Sequence, residues 1–326
     1  MKAITQDRYG SAEVLEFRDI DPPAPGAGEV LVRVRAAGVD PGVWHLMTGR
    51  PYLVRAFGFG VRRPRTRVRG RDLAGVVESV GAGVTGFQAG DEVYGTCDGG
   101  SYAEYATAPV HRLARKPGNI SFEQAAVTPV SGVTALQAVR DCAAVRAGQR
   151  VMVIGAAGGV GSFAVQLAKA FGATVTAVCG PAKAELVRAL GADEVIDYTR
   201  EEIDRDGPRY DVVIDTAGNR TLATLRRAMA ARSTLVLVGG EGGRGRLLGG
   251  FDRQLRAPLL SPFVPQRLRP LTAKENAADL DTLTRLIESG AVTPRLDRAY
   301  PLVQAPEAIR YLAEGHAAGK VAIAIA

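Results

Sequence analysis

The sequence predicts an α/β protein in which a β-rich segment is followed by a doubly wound parallel sheet. Up to about residue 122, short apolar runs are separated by Gly and Pro, which is typical of short antiparallel strands. From Ser121 to about Leu260, strand-like runs alternate with helix-like runs, which is typical of a parallel sheet covered by helices. The clearest strand-like runs of the first segment are Glu29–Arg35, Gly75–Val80, Asp91–Tyr94 and Ser101–Ala106.

The composition is that of an ordinary globular chain without a membrane span. Of the 326 residues 46% are hydrophobic and 23% charged, and no apolar run approaches the roughly 20 residues that cross a bilayer. Residues 1–5 lead directly into polar sequence, so we expect no signal peptide and a cytoplasmic location. The net charge of +7 is compatible with acidic ligands but does not by itself predict nucleic-acid binding. The cysteines, Cys97, Cys142 and Cys179, are too widely spaced for a C-x-x-C metal site or a disulfide framework.

The second segment divides into five predicted strands and the helices between them. Ligands of such sheets bind beyond the carboxyl ends of the strands, so we expect one near Gly158, Gly180, Ala217 and Gly239. The predicted strands are 151–154, 174–178, 194–197, 211–215 and 234–238, and the predicted helices include 161–171, 182–190 and 219–230.

The last part of the chain has two helical runs, 279–289 and 305–313, and a final strand, Lys320–Ile325. It has no nucleotide pattern of its own, and we expect it to return to the N-terminal domain. The predicted domains are therefore residues 1–122, 123–264 and 265–326.

A glycine-rich turn follows the first strand of the second segment. The β-branched run Val151–Ile154 ends in glycines at 155, 158, 159 and 161, and an amphipathic helix begins there. Bare amides at a helix N-terminus form a site for a pyrophosphate. The spacing is Gly155-x-x-Gly158-x-x-Gly161, with Ala156 at the first position of the usual G-x-G-x-x-G pattern. A turn that only packs the helix on the sheet is the alternative. The candidate pyrophosphate residues are Gly155, Ala156, Gly158, Gly159, Val160 and Gly161.

The end of the next strand indicates which dinucleotide binds. An Asp or Glu at this position binds the ribose 2′-hydroxyl of NAD. Here the chain continues through Cys179 and Gly180 to Lys183, and the first acid, Glu185, already lies in the next helix. Lys183 would attract a 2′-phosphate, so NADPH is predicted in preference to NADH. The alternative is that Lys183 is an ordinary solvated lysine.

Several separated motifs resemble one known family over essentially the whole chain. The sequence is similar to the zinc-independent quinone oxidoreductase branch of the medium-chain dehydrogenase/reductase superfamily. The resemblance implies a GroES-like catalytic domain interrupted by a Rossmann domain, and a homodimer joined edge to edge through the Rossmann sheets. The motifs are Ala37–Pro41, Gly70–Val77, Gly81–Phe87, Gly90–Gly95, Gly155–Gly161, Leu190–Asp193 and the segment from Tyr300 to Lys320.

The positions of the zinc ligands in zinc-dependent relatives carry other residues here. The first ligand position is Asp40, and the His-Glu of the family's Gly-His-Glu is Arg71-Asp72. No cysteine stands near 128–131, and no four-cysteine lobe follows Gly95. Zinc prefers thiolate and imidazole ligands, so the sequence predicts no metal.

Without a metal Lewis acid, we expect hydride transfer from NADPH to an already activated small-molecule acceptor. Quinones and α,β-unsaturated carbonyls are such acceptors. One alternative is an NAD(P)-dependent alcohol dehydrogenase, or a dedicated tailoring reductase of one metabolite. A remote alternative is a non-catalytic, cofactor-gated module that binds RNA or protein.

The resemblance places the substrate pocket at residues 40–52, with Asp40, His45 and Tyr52 as catalytic candidates. The family commonly has Asn at position 40. An ionised Asp40 cannot donate a hydrogen bond to the nicotinamide carboxamide or to a substrate oxygen, whereas a protonated Asp40 could. His45 is either a proton donor or a helix residue at the pocket wall. Trp44 either lines an aromatic slot with Tyr52 or packs in the core. Further cofactor candidates are Thr134, Cys179, Gly180, Tyr198 beside Lys183, Ala217, Val238, Gly239, Phe263 and Lys320.

An arginine-rich segment, residues 53–71, stands apart from the family pattern. It is either a solvated loop with an apolar anchor at residues 57–60 or a lid that contributes to binding an acidic or extended substrate. Arg71 and Asp72 are also expected to be able to form a structural ion pair. The arginines are Arg55, Arg62, Arg63, Arg65, Arg67, Arg69 and Arg71.

Overall fold

The structure is a computed structural model of the 326-residue chain, and it describes residues 1–52, 55, 60–239, 251–315 and 317–326. Two compact units result. The first comprises residues 1–133, 275–290 and 294–326, and the second comprises residues 134–274 and 291–293. The apolar anchor predicted at 57–60 lies outside the described residues except for Gly60.

The described residues form strands and helices distributed over both units. The strands are β1 (Lys2–Thr5), β2 (Glu16–Asp19), β3 (Glu29–Val39), β4 (Asp72–Val80), β5 (Glu92–Thr96), β6 (Tyr105–Pro109), β7 (Leu113–Arg115), β8 (Arg150–Ile154), β9 (Thr174–Cys179), β10 (Glu194–Asp197), β11 (Tyr210–Asp215), β12 (Met229–Leu237), β13 (Arg267–Pro270), β14 (Leu296–Pro301) and β15 (Lys320–Ala324). The helices are α1 (Pro41–Thr48), α2 (Phe122–Ala126), α3 (Pro129–Leu136), α4 (Gly159–Ala170), α5 (Ala184–Ala189), α6 (Leu222–Arg227), α7 (Phe251–Leu260), α8 (Ala277–Glu288) and α9 (Ala305–Ala313).

The first unit is built on a seven-stranded sheet. Its order is β14-β15-β3-β4-β5-β7, with β6 also paired to β3. The long strand β3 buries Val30, Val32 and Val34 and exposes Arg33 and Arg35, as the alternation of a half-buried strand requires. The final strand β15 runs antiparallel to β3, so the C-terminal part returns to the N-terminal unit as predicted.

The second unit is a parallel sheet of six strands in the order β10-β9-β8-β11-β12-β13. The strand order reverses at β8, and this is where doubly wound sheets bind their ligands. Strand β8 is buried along residues 151–154, as expected of a strand covered on both faces. The sixth strand, β13, was not predicted, because its sequence Arg-Leu-Arg-Pro buries only Leu268 and therefore has no apolar run.

The boundaries drawn by the structure differ from the predicted ones. The first unit extends to 133 rather than 122, because α2 packs on β3 and β4. The second unit extends to 274 rather than 264, because β13 completes its sheet.

Several predicted elements are also shifted. The helix predicted over 219–230 is only Leu222–Arg227, because Thr221 caps its start and β12 begins at Met229. The strand predicted over 101–106 forms at Tyr105–Pro109. No helix among the described residues is both long and apolar enough to span a bilayer.

Candidate functional site

The glycine turn between β8 and α4 is held by main-chain hydrogen bonds. The N–H groups of Gly155 and Ala156 donate to the carbonyl of Val178 at 3.1 and 3.2 Å, which ties the turn to β9. Gly155 has φ +78°, a left-handed conformation that favours glycine. Gly158 is the N-cap of the 12-residue helix α4, and no side chain caps that end. The first amides of α4 are therefore available to a ligand.

The glycines of this turn serve different purposes. A Cβ on Gly161 would lie 2.1 Å from the Gly155 carbonyl oxygen, so Gly161 is required for packing. A Cβ on Gly158 would meet only that oxygen, at 3.3 Å, and otherwise projects into free space. Ala156 is fully buried and leaves that space open. A pyrophosphate fits beside Gly158, where the amides of Gly159 and Val160 begin the helix.

A second cluster lies at the carboxyl ends of β9 and β10. The Tyr198 hydroxyl is 3.6 Å from the position of a Cβ on Gly180, and Lys183 lies close enough to Cys179 to influence its thiol. Burial raises the pKa of that thiol. The structure thus brings together Cys179, Gly180, Lys183 and Tyr198, as expected for a group that recognises one end of a dinucleotide.

The acids near this cluster are already engaged. Asp197 accepts hydrogen bonds from the N–H and hydroxyl of Thr199 at 3.0 and 2.7 Å, which lowers its pKa. Glu185 forms an ion pair with Arg188 on the helix surface. Asp197 also lies 3.7 Å from Arg200, so a cation stands beside each of the two carboxylates.

The ends of β11 and β12 are organised by a buried ion pair that sequence analysis missed. Asp215 accepts from the N–H groups of Ala217 and Gly218, both at 3.2 Å, and its other oxygen lies 2.7 Å from Arg253 Nη1. Arg253 also donates to the Gly239 carbonyl at 3.4 Å. The pair therefore holds two predicted cofactor positions, Ala217 and Gly239, at the edge where the ligand is expected.

The remaining candidates in the second unit are less closely grouped. The N–H of Val238 donates to the Asp215 carbonyl at 3.0 Å, next to Gly239. Thr134 is partly exposed on α3. Phe263 ends a 3₁₀ turn and is 84% exposed.

Replacing Arg253 with Leu is expected to lower the free energy of unfolding by about 3–5 kcal/mol, because it leaves Asp215 charged and buried without its partner. Urea denaturation measures the loss. The matched control is Arg256→Leu in the same helix, where the arginine is 74% exposed and lies 3.9 Å from Asp252; its expected cost is below about 1 kcal/mol. Equal costs for the two variants would contradict the assignment of the buried pair.

In the first unit the structure does not bring the three catalytic candidates together. Asp40 is buried and caps α1, its Oδ1 accepting from Val43 N–H at 3.3 Å. His45 Nδ1 lies 2.7 Å from the Arg50 carbonyl oxygen. Tyr52 and Trp44 line a cavity of about 460 Å³, and the Arg55 guanidinium lies over the rings of Tyr52 and Tyr9. Neither Asp40 nor His45 lines that cavity in the described part of the chain.

A second cavity in the same unit, of about 510 Å³, lies against the other side of α1. Val43 and Leu46 of the predicted substrate segment line it, together with Arg65, Arg69 and Arg71. The seven arginines of residues 53–71 do not form one solvated cluster, because Arg67 pairs with Asp7, Arg55 stacks on tyrosines and Arg69 is buried. Arg62 and Arg63 are exposed, as the solvated-loop interpretation expects.

Arg71 and Asp72 do not form the expected ion pair with each other. Arg71 Nη2 lies 2.8 Å from Glu275 instead, and Asp72 is fully buried with other partners. Asp72 accepts from Val130 N–H at 3.2 Å and faces Lys320 Nζ at 4.0 Å. Lys320 is buried with Asp72, which gives this predicted cofactor residue a partner within the first unit.

This arrangement does not fit a zinc ion. The described residues contain no group of three or more His, Cys, Asp or Glu side chains placed to hold a metal. At the positions that carry ligands in zinc-dependent relatives, Asp40 caps a helix, Arg71 is a cation, and Asp72 faces the cation Lys320. The cations Arg71 and Lys320 beside these carboxylates oppose the binding of a divalent cation.

Burial raises the pKa of Asp72 well above its ordinary value of 3.8, and the opposing effect of Lys320 is smaller. Between pH 4 and the raised pKa, the unfolded chain has lost this proton while the folded chain keeps it. The contribution of Asp72 to stability therefore falls as pH rises through that range.

We expect Asp72→Asn to make the free energy of unfolding less dependent on pH between 5 and 8 than it is in the wild type, as urea titrations at several pH values will measure. Asp98→Asn is the control, because the Asp98 side chain is 70% exposed. An unchanged slope in Asp72→Asn would contradict the raised pKa.

The chain matches two family models, the alcohol dehydrogenase GroES-like domain over residues 26–118 and the zinc-binding dehydrogenase family over residues 190–323. It is 34% identical to a quinone oxidoreductase of Pseudomonas aeruginosa, with 99% of each chain covered. It is 31% identical to the chloroplast envelope quinone oxidoreductase homolog of Arabidopsis thaliana, with 99% of this chain and 98% of the relative covered. The chain belongs to the quinone oxidoreductase-like branch of the medium-chain dehydrogenase/reductase superfamily.

The chain is also similar to an enone reductase and to several solved structures of this superfamily. The 2-methylene-furan-3-one reductase of Solanum lycopersicum is 34% identical, with 99% of this chain and 79% of the relative covered. A solved quinone oxidoreductase from Coxiella burnetii has a TM-score of 0.87 at 28% identity, with 100% and 99% of the two chains covered. An NAD-dependent alcohol dehydrogenase has a TM-score of 0.83 at 31% identity, with 100% of both covered. A mycobacterial protein complexed with NADPH has a TM-score of 0.82 at 26% identity, with 99% and 100% covered.

These comparisons confirm the predicted superfamily, the combination of a GroES-like domain with a Rossmann sheet, and the oxidoreductase class. The roles of the individual site residues stay predictions.

Proposed function

We propose that this chain is an NADPH-dependent reductase that transfers hydride to quinones or α,β-unsaturated carbonyls without zinc. The observation that carries the proposal is the similarity of 99% of this chain to a quinone oxidoreductase and to a reductase of 2-methylene-furan-3-one, whose name describes an enone. Both kinds of acceptor have a carbon–carbon double bond conjugated to a carbonyl group. They accept hydride without the metal activation that alcohol oxidation usually requires.

The cofactor is a nicotinamide dinucleotide, supported by the similar mycobacterial protein complexed with NADPH and by the open space beside Gly158 in the glycine turn. Gly158, Gly159 and Val160 would hold its pyrophosphate at the N-terminus of α4. Lys183 and Tyr198 would hold the 2′-phosphate, which makes NADPH the preferred form. When bound, the reduced nicotinamide supplies the hydride.

The first unit would bind the acceptor in the cavity of about 510 Å³ lined by Val43, Leu46 and Arg71. The resemblance places the substrate at residues 40–52, and Arg71 occupies a position that carries a zinc ligand in zinc-dependent relatives. As hydride adds to the acceptor, negative charge develops on its carbonyl oxygen. The guanidinium of Arg71 is a fixed donor that would stabilise this charge.

The proton that completes the reduction does not need a dedicated side chain in this proposal. His45 is bound to the Arg50 carbonyl and lines neither cavity among the described residues. Asp40 caps α1 and likewise lines neither cavity among the described residues. Water therefore supplies the proton to the oxygen or carbon that carries the charge.

Cofactor consumption by the chelator-treated protein tests the proposal. NADPH and NADH are compared with 1,4-naphthoquinone, 4-phenylbut-3-en-2-one and, in the reverse direction, primary alcohols with NADP⁺. NADPH-selective reduction of a quinone or an enone supports the proposal. Turnover that requires added zinc, or binding of neither cofactor, would overturn it.

One alternative activity is supported by a specific observation. The NAD-dependent alcohol dehydrogenase at 31% identity covers the whole chain. Oxidation of primary alcohols by the metal-free protein in the same experiment would favour that activity over enone reduction.

We also propose that the protein is a cytoplasmic homodimer that acts on a small molecule and binds no nucleic acid. The dimer is implied by the resemblance and would pair the edge strand β13 with its copy in a second chain. Light scattering in solution tests this, and a monomer would overturn it.

A further inference from the structure

Arg69 is the most unusual charged residue of the first unit. It is 5% exposed, and its main chain is fixed between two segments: its N–H donates to the Ile4 carbonyl at 3.2 Å, and its carbonyl accepts from Tyr102 N–H at 2.8 Å. Arg69 is one of the residues that line the cavity of about 510 Å³. Two of its nitrogens, Nε and Nη2, are buried and have no hydrogen-bond partner in the described part of the chain.

A buried guanidinium without hydrogen bonds is costly, because it loses its hydration and gains nothing in exchange. Burial lowers the pKa of Arg69 to about 10, so the group still carries its charge at neutral pH. The titratable groups nearest to it are Tyr9 and Tyr102, which are neutral at that pH. No carboxylate among the described residues forms an ion pair with Arg69.

The other charged groups around the cavity leave it positive. Arg71 is neutralised by Glu275 at 2.8 Å, and Asp98 is neutralised by Arg112 at 2.8 Å. Arg65 has no ion-pair partner among the described residues. The cavity wall therefore carries the uncompensated charges of Arg65 and Arg69, next to the apolar side chains of Val43 and Leu46.

We propose that Arg69 binds a carboxylate carried by the acceptor, so that the preferred substrates are enones or quinones with an acid group. This inference rests on the proposed reductase function. Nε and Nη2 form one edge of the guanidinium, and this edge binds a carboxylate through two parallel hydrogen bonds. Both atoms are shielded from water in this structure, so binding requires the side chain to turn toward the cavity.

The chemistry of the site selects a carboxylate attached to an apolar body. A single guanidinium edge matches the two oxygens of a carboxylate. The apolar wall of Val43 and Leu46 accepts a ring or an alkyl chain. A volume of about 510 Å³ is ample for a small aromatic enone that carries one acid group.

The test compares 4-(4-carboxyphenyl)but-3-en-2-one with its methyl ester, which has the same enone but no charge. Arg69→Leu is expected to lower kcat/KM for the carboxylate by about 10- to 100-fold, the loss of one charge-assisted hydrogen-bonded pair. The ester should change by less than about threefold. Arg69→Lys should retain part of the preference for the carboxylate over the ester. Lysine keeps the positive charge but cannot form two parallel hydrogen bonds. Arg62→Leu is the control, because Arg62 is exposed and has no partner among the described residues.

Equal losses for the two compounds in Arg69→Leu, or no loss for either, would overturn the inference. Thermal unfolding checks the fold: we expect Arg69→Leu to be as stable as the wild type or more stable, since a buried unpaired charge is removed. A phenyl phosphate that competes better than benzoate would also overturn the assignment to a carboxylate.

Absence of reductase activity can be distinguished from absence of the carboxylate site. If the wild type reduces neither compound, calorimetric titration still measures their binding. Tighter binding of the carboxylate than of the ester, with the difference lost in Arg69→Leu, would support the anion site even then. Equal affinities in the wild type would overturn it.

Discussion

Replacing Gly158 with Val is expected to weaken dinucleotide binding at least about 100-fold while the protein stays folded. The reason is geometric: a Cβ at Gly158 meets only the Gly155 carbonyl oxygen, at 3.3 Å, so the added side chain fills the space proposed for the pyrophosphate. Isothermal titration with NADPH measures the affinity. Circular dichroism and thermal unfolding measure the fold.

Gly161→Ala is the matched control for this variant. Its Cβ would lie 2.1 Å from the same carbonyl oxygen, so we expect it to destabilise the turn itself. Gly158→Val should therefore lose affinity for NADPH, whereas Gly161→Ala should lose stability. Normal NADPH binding by Gly158→Val would show that the pyrophosphate lies elsewhere.

Replacing Lys183 with Glu is expected to weaken NADPH binding about 100-fold and NADH binding less than about threefold. The substitution removes a charge-assisted hydrogen bond to the 2′-phosphate and places a like charge beside it. NADH has no such phosphate and keeps its other contacts. The ratio of the two dissociation constants is the measurement, because it cancels any general effect on the fold.

Arg200→Glu is the control for charge alone. Arg200 is 82% exposed near the same edge of the sheet, 3.7 Å from Asp197, and its reversal changes the net charge equally. We expect Arg200→Glu to weaken NADPH binding much less than Lys183→Glu does, and we expect this small effect to disappear at high salt. If Lys183→Glu weakened both cofactors equally, Lys183 would not be the residue that distinguishes them.

The parts of the fold that were predicted correctly are those whose signal is local in sequence. The turn from Gly155 to Gly161 combines a buried strand, glycines and a helix within a few residues, and the structure has each of these elements. The strand Lys320–Ile325 was also predicted, because it is a continuous apolar run. In contrast β13 has only Leu268 to bury, and the sequence offered no reason to place a strand there.

The parts that were missed depend on partners that are distant in sequence. Asp215 and Arg253 are 38 residues apart, and nothing in either local sequence links them. An Asp at the end of an apolar strand was the one available signal. Arg71 was matched to its neighbour Asp72, but its partner is Glu275, 204 residues away.

The burial of Arg69 also could not be predicted from the sequence. Seven arginines lie between residues 55 and 71, and the sequence does not indicate which of them is buried. The structure does so through burial, because Arg69 is enclosed at the cavity while Arg62 and Arg63 face solvent. Burial of one charged residue among many is a property of the tertiary structure.

Zinc-free hydride transfer is tested by following deuterium into an enone from NADPH that is labelled at C4 of its nicotinamide. The protein is treated with a chelator, and its zinc content is measured. We predict that 4-phenylbut-3-en-2-one gains one deuterium at its β-carbon, from one of the two C4 labels, in protein without stoichiometric zinc. Zinc-free hydride transfer from NADPH would be contradicted by a reduced product that carries deuterium from neither label. Transfer that appears only when zinc is restored would also contradict it.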